Sequence, residues 1–209
     1  MQEIYTQFIE GLRATTSIEF VAVIAGIVSV IYSRKENILV YPTGLINTTL
    51  FIYLSIKGSL YGEASVNFYY TVMSLYGWWN WSRRDNTAQT VVHITPSTKK
   101  ELIQQFIFFD VCFITIWAIL HWLRGSFAPN AIPWADALAS ASAFTGMWLM
   151  ARKKIESWYW WIVTNIVSIP LWFVKGYVFT SVQFVVLLVL AVAGLIEWKK
   201  RFTKSNIPI

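Results

Sequence analysis

The chain has 209 residues, of which 56% are hydrophobic, 17% aromatic and only 13% charged, about half the charged fraction of an ordinary soluble domain. Water is therefore not its main solvent. A single Cys and two His exclude a disulfide framework and leave no zinc-ligand cluster, while the net charge of +6 lies in short loops between apolar stretches and so reads as a topology signal rather than a nucleic-acid footprint.

Residues 1–16 carry Glu3, Glu10 and a single Arg13. They lack the positive start of a cleaved signal peptide and are expected to persist as an extracytoplasmic arm with no assigned role. Seven apolar spans follow, at 17–33, 38–56, 64–81, 101–123, 134–151, 157–174 and 178–198. Each bilayer crossing needs about 20 residues. Backbone groups in hydrocarbon must be satisfied within the segment, so spans of this length are helices and not the shorter alternating strands of a barrel. The expected class is an all-α membrane protein with seven transmembrane helices. The segment 82–100 reads as a polar cytoplasmic linker. Within it Thr95-Pro96-Ser97 is a helix-entry signal and His93 an exposed loop histidine. A basic tail, 199–209, ends the chain.

Orientation follows from the basic residues. Arg34, Lys35, Arg83, Arg84, Lys99, Lys100, Arg152, Lys153, Lys154, Lys199, Lys200, Arg201 and Lys204 fall in alternate segments, against Arg13, Lys57, Arg124 and Lys175 in the others. The richer side is cytoplasmic, which puts the N-terminus outside and the C-terminus inside.

A displacement of 118 residues brings Arg34-Lys35 onto Arg152-Lys153, Tyr41 onto Tyr159, Asn47 onto Asn165 and Lys57-Gly58 onto Lys175-Gly176. With one residue of slippage Gly77 meets Gly194, Trp81 meets Trp198 and Arg84 meets Arg201. Residues 17–81 and 134–198 thus read as two copies of a three-helix unit joined by 101–123 as a linker helix, a 3+1+3 layout. An odd linker restores orientation, so the repeats are parallel, with a pseudo-two-fold axis along the membrane normal, as in transport proteins.

Asn47 and Asn165 lie about 12 to 14 Å into their helices, near the middle of a roughly 30 Å core. Each is either interhelical glue or half of a midplane substrate site. The third span carries Asn67, Tyr70, Thr71, Ser74, Trp78 and Trp81 on one face, and the sixth carries Trp161, Thr164, Asn165, Ser168 and Trp172. Gln183 adds a donor and an acceptor in the seventh. Asp110, ionisable within a span, either contacts a cation or pairs with a polar neighbour. The clusters Trp78-Trp79-Asn80-Trp81 and Trp158-Tyr159-Trp160-Trp161 suit an aromatic belt, but indole faces also bind delocalised cations by up to about 2 kcal/mol when desolvated. No lysine in 178–198 could carry a retinal Schiff base, no nucleophile elbow accompanies His121, and no Walker A sequence occurs. Catalysis, metal and cofactor are therefore not expected.

Trp78-Trp79-Asn80-Trp81, taken with Trp160-Trp161-Ile162-Val163-Thr164-Asn165, resembles the paired Trp-x-x-Trp and Trp-x-x-x-Thr-Asn signatures of the bacterial nicotinamide riboside transporters, the PnuC family. The resemblance covers essentially the whole chain. It implies a fold similar to the SWEET sugar transporters, a homotrimer in the bacterial inner membrane, and facilitated diffusion of nicotinamide riboside, which a cytosolic kinase then phosphorylates and traps. By motif position it implies Trp78, Trp81, Trp160, Thr164 and Asn165 as site residues. Asn47 joins them through the repeat, and Asn80 and Gln183 through their helix faces. A pyridinium, carboxamide and ribose suit aromatic walls with amide partners and no strong anion. Pro42 and Pro170 are candidate kinks for rocking of the halves. The alternatives are the same fold carrying another B-vitamin, such as thiamine or riboflavin, and a seven-helix receptor.

Overall fold

The structure is a computed structural model and describes residues 2–58, 61–123 and 131–205. Met1, Arg124 of the fifth expected non-membrane segment, and residues 206–209 of the expected tail lie outside the described residues. Among the described residues eight helices follow one another: α1 (Gln2–Ala14), α2 (Ser17–Arg34), α3 (Val40–Lys57), α4 (Tyr61–Ser82), α5 (Lys99–Leu123), α6 (Pro133–Ala151), α7 (Ser157–Val174) and α8 (Val178–Ser205). Among the described residues the only β pairing is two isolated bridges, Arg84 with Thr90 and Thr95 with Lys154.

Three segments, Ser17–Arg34, Lys99–Trp122 and Val178–Ser205, are long and apolar enough to cross a membrane by length and composition alone. The other four expected spans also coincide with single helices, α3, α4, α6 and α7. Their mean hydropathy is diluted by Tyr, Trp, Asn, Ser and Thr, or in α6 by Ala and Ser. Small residues let α6 sit in the middle of the bundle, where Ala137, Ala141 and Leu149 are fully buried.

Successive helices pack in order, α2 on α3 on α4 and α6 on α7 on α8, and these two triplets meet through α4 against α6 and α2 against α8. Helix α5 lies along α6. The segment expected as an arm forms the helix α1, with Tyr5, Phe8, Ile9 and Leu12 at helical spacing. It packs on α8, where the Phe8 ring lies 5.7 Å from Phe179. The expected tail begins as a continuation of α8 to Ser205, supported by an ion pair of Arg201 with Glu197 one turn earlier.

Local chemistry sets the helix entries. Thr16 caps α2 by accepting the Glu19 amide at 3.2 Å. The entry to α5 lies slightly beyond the expected Thr95-Pro96-Ser97. Thr98 and Glu101 form a reciprocal box, the Thr98 amide donating to Glu101 at 2.9 Å and the Glu101 amide to the Thr98 hydroxyl at 3.3 Å. The expected polar linker is only partly solvated. Ile94 is buried in the core, the Thr95 amide donates to Lys153 O, and the Ile155 amide donates to Thr95 O, so the segment is strapped to the α6–α7 turn. His93 is exposed.

Contacts within and between the triplets repeat at a spacing of 117 residues. Glu36 and Lys153 both take left-handed backbone conformations, φ 57° and 53°, and their side chains pair with each other at 2.7 Å. The Trp81 indole donates to Met150 O at 3.3 Å, and the Trp198 indole donates to Ser33 O at 3.0 Å. Tyr41 meets Trp81 edge-on at 5.2 Å, and Trp158 meets Trp198 edge-on at 5.5 Å. A methyl on Gly77 would come within 2.5 Å of the Tyr41 ring, and one on Gly194 within 2.5 Å of the Trp158 ring. Tyr41 therefore corresponds to Trp158, not to Tyr159 as the 118-residue displacement has it. Tyr41 and Trp158 are 2% and 1% exposed, whereas Tyr159 faces outward. Packing of a large ring against a glycine, rather than identity of the ring, carries the correspondence.

Candidate functional site

Away from the end where residues 83–98 lie, three rings from three helices converge. Tyr70 of α4 lies 6.1 Å from Phe144 of α6 and 6.2 Å from Trp161 of α7. The neighbouring Tyr69 hydroxyl donates to Phe144 O at 3.0 Å, which joins α4 to α6. Trp161 has room because Gly146 faces it, and a methyl there would come within 3.3 Å of the indole. One turn further along α7 stands Asn165.

Asn165 is 3% exposed, and among the described residues its carboxamide makes no hydrogen bond. Its amide atoms are not among the sealed, unpartnered ones, which in the described residues are Tyr41 Oη, Gln105 Nε2, Ser142 Oγ and Trp158 Nε1, so the group keeps an accessible edge at which a ligand can bond. The adjoining Thr164 is also buried, and its hydroxyl donates to Trp160 O at 2.9 Å, back-bonding within α7. Ser168, one turn beyond Thr164, is buried as well. On α4, Thr71 donates to the Thr48 hydroxyl at 2.8 Å, tying that stripe to α3. Phe144 carries no motif in the sequence; only its place opposite Tyr70 and Trp161 marks it. Tyr70 and Trp161 are visible in the sequence as members of polar stripes.

The other expected site residues are spread through the bundle. The Asn47 amide donates to Ala22 O at 2.8 Å, where Gly26 leaves space for it between α2 and α3. The Asn80 amide donates to Ala151 O at 3.0 Å at the end of α6. Trp81 lies in the core beside Tyr41 and Trp198, with the Lys153 ammonium 4.7 Å above its ring. The Trp160 indole donates to Gln105 of α5 at 2.8 Å and stacks on Phe109 at 4.8 Å. Trp78 is 39% exposed, and Gln183 is half-buried on α8. Thr164 and Asn165 are thus the motif residues that accompany the Tyr70–Phe144–Trp161 ring cluster.

Among the described residues, charge is kept to the two ends except for Asp110 at the middle of α5. At the end of α7, Lys175 pairs with Asp136 at 2.6 Å, and Asp136 also accepts the Ile132 amide at 2.7 Å. At the opposite end, Asp85 accepts from the Thr87 hydroxyl and from the Thr87 and Gln89 amides. The Thr87 hydroxyl, followed by the two amides, holds its carboxyl below the usual carboxylate range. Among the described residues no group of three His, Cys, Asp or Glu could hold a metal. Rings, hydroxyls and a free amide without a nucleophile suit binding and release, not bond cleavage.

Residues 16–200 match the family described as Nicotinamide mononucleotide transporter. The chain belongs to that family. It is a multi-pass membrane transporter and not an enzyme. The nicotinamide riboside transporter PnuC of Escherichia coli (strain K12) is 27% identical over 201 residues, covering 87% of this chain and 84% of that protein. The riboflavin/roseoflavin transporter RibM of Streptomyces davaonensis is 24% identical over 192 residues, covering 91% and 88%. A crystal structure described as that of the vitamin B3 transporter PnuC shares the all-helical fold, with a TM-score of 0.72 at 24% identity over 96% of this chain and 88% of that one.

Proposed function

We propose that the chain carries nicotinamide riboside through the bacterial inner membrane by facilitated diffusion. The substrate passes between α2–α4 and α6–α8 as two parallel three-helix repeats, with α5 as linker. The observation that carries this reading is the Asn165 carboxamide, which makes no hydrogen bond among the described residues and stands one turn from Trp161. A substrate with a pyridinium ring and a carboxamide is met there by the faces of Tyr70 and Trp161 and by an amide able both to donate and to accept. Thr164 and Asn165 are the motif residues we assign to contact. Trp81, Asn80 and Asn47 serve the frame that aims them, Trp160 couples α7 to α5, and Trp78 and Gln183 line the route. The names of the Escherichia coli and Neisseria mucosa relatives, each 27% identical, support the substrate.

The structure is closed at the 83–98 end, which the basic-residue bias makes cytoplasmic. Release there requires breaking the indole bonds of Trp81 and Trp198, the Asn80 bond and the Lys153–Glu36 pair. Each neutral bond contributes about 1 kcal/mol, a total that rocking of the halves can meet without an energy source. Tyr41 Oη and Trp158 Nε1 are buried without partners at the same end, which raises the energy of this state and lowers the cost of leaving it. Nothing in this cycle drives accumulation, so phosphorylation of the riboside in the cytosol serves as the trap.

A homotrimer is supported by α5. Asp110 is exposed at mid-helix among the outward-facing Ile103, Ile107 and Ile114. A carboxylate facing lipid at that depth is costly, by about 2.5–3.5 kcal/mol on insertion scales, and a second copy covering α5 would relieve it.

Uptake of labelled nicotinamide riboside into proteoliposomes tests the assignment, with thiamine and riboflavin as competitors. Entry down a gradient without an ion or ATP is expected, and accumulation only when a riboside kinase and ATP are sealed inside. Competition by riboflavin with no nicotinamide riboside entry would transfer the assignment to the second reading, which the match to RibM favours. Binding without entry would make the chain a receptor.

A further inference from the structure

The segment 83–98, strapped against the α6–α7 turn, lines a largely open cavity of about 420 Å³, within the size range of small-molecule sites. Arg83, Arg152 and Lys154 line it, against one carboxylate, Glu101. Three cations against one carboxylate leave an excess of two positive charges. Glu101 is divided between Arg152 at 3.3 Å and Lys154 at 2.9 Å, and it also accepts from Thr98. Arg83 has no carboxylate partner among the described residues and rests over the Trp79 ring at 5.3 Å. The rest of the lining is Tyr76, Val91 and Val92 together with the polar Asn80, His93 and Thr95, so the ring and the two valines form an apolar patch beside the cations.

We propose that this cavity binds a nucleoside 5′-monophosphate, its phosphate among Arg83, Arg152 and Lys154 and its base against Tyr76 and the two valines. A phosphate monoester carries about −1.5 to −2 charges at pH 7, which matches the local excess, and guanidinium groups recognise it in bidentate fashion. An inorganic phosphate would satisfy the cations and leave the apolar patch bare. The wall residues come from both sides of the linker helix, Tyr76 and Arg83 before it and Arg152 and Lys154 after it. An occupant therefore ties the two halves together at the closed end. On the reading that the halves rock during transport, a cytosolic nucleotide slows uptake.

Calorimetry on the purified full chain in detergent, with adenosine 5′-monophosphate as the probe, tests the site. The nucleotide is expected to bind about tenfold more tightly than adenosine or inorganic phosphate, and Arg83→Gln to weaken it about tenfold, by loss of a charged hydrogen bond. Arg83 pairs with no carboxylate, so the variant should fold and transport normally. In proteoliposomes, adenosine 5′-monophosphate sealed on the cytoplasmic side should slow nicotinamide riboside entry, and Arg83→Gln should abolish that inhibition while leaving the uninhibited rate unchanged. Absence of nucleotide binding, equal binding of adenosine, or unchanged affinity in Arg83→Gln overturns the site. So does nucleotide binding that persists in phosphatidylcholine nanodiscs but is lost when phosphatidylglycerol is mixed in, an outcome that assigns the cations to a lipid headgroup. Calorimetry does not depend on which vitamin is carried. Nucleotide binding without nicotinamide riboside uptake would therefore sink the substrate reading and leave this site standing.

Discussion

Two regions of the bundle hold buried polar side chains and treat them in opposite ways. Near the loop 83–98 the amide of Asn80 and the indoles of Trp81 and Trp198 donate across from one half to the other, to Ala151, Met150 and Ser33. Around the middle of α7 the amide of Asn165 is equally buried and bonds to nothing among the described residues. Buried groups are normally paired because an orphan costs more than a bond returns. The first region is therefore a latch of bonds between the halves that also holds two sealed, unpartnered atoms, Tyr41 Oη and Trp158 Nε1, whereas the Asn165 amide has no such bond and is open to a partner from outside the chain. Asn47 and Asn165, which the sequence presents as equivalents, fall on opposite sides of this divide, since the Asn47 amide is committed to Ala22.

The largest effect should come from the latch itself. Trp198 is fully buried, and Trp198→Ala should lower stability by about 3–5 kcal/mol, read as a fall in the unfolding midpoint in detergent. Trp160→Leu, at the half-exposed contact with α5, should cost clearly less stability. If the two proved equal, the latch would be no more structural than the periphery.

Next come the glycines beneath the rings. Gly77→Ala and Gly194→Ala should each destabilise by about 1–3 kcal/mol through overpacking, and by similar amounts, since each new methyl meets a ring at the same 2.5 Å. Widely different losses in thermal unfolding would break the equivalence of the two halves at this end.

A smaller change separates the two asparagines more sharply. Asn165→Ala should weaken nicotinamide riboside binding by about 0.5–1.5 kcal/mol while stability changes little, because the amide makes no bond to another described residue. Asn47→Ala should lose about 1 kcal/mol of stability with affinity nearly unchanged. Titration and unfolding of both variants check the crossover, and the reverse pattern would make Asn47 the ligand group.

The smallest effect concerns the exposed loop. The Asp85 carboxyl sits below its ordinary range because the Thr87 hydroxyl and the Thr87 and Gln89 amides donate to it. Its contribution to the turn is thus fully present above the ordinary carboxylate pKa and is lost as pH falls through the lower folded value. Protection of the Thr87 and Gln89 amides, taken relative to intrinsic exchange, should fall only at acid pH, and in Asp85→Asn it should be low at neutral pH already. Protection that does not change with pH in the parent chain would remove this role.

Much of the helical layout was legible in the primary structure. Apolar length marks each helix from α2 to α8, and the Lys and Arg bias proposes an orientation, because desolvation acts on every residue according to its own chemistry. Local signals misplaced only details. The α5 entry moved to Thr98 and Glu101, α1 was hidden in a segment too polar to count as a span, and the repeat register slipped by one residue because Tyr41 and Trp158 share a glycine-backed site rather than a residue type. What only the tertiary structure decided is which polar groups are already bonded. Asn47, Asn80 and Asn165 are identical side chains, and their roles differ because a carbonyl from a distant helix happens to face the first two and not the third. Hydrogen-bond partners separated by 25 or 71 residues leave no periodic trace in sequence, so the identity of the free amide, and with it the candidate site, appears only when the helices are packed.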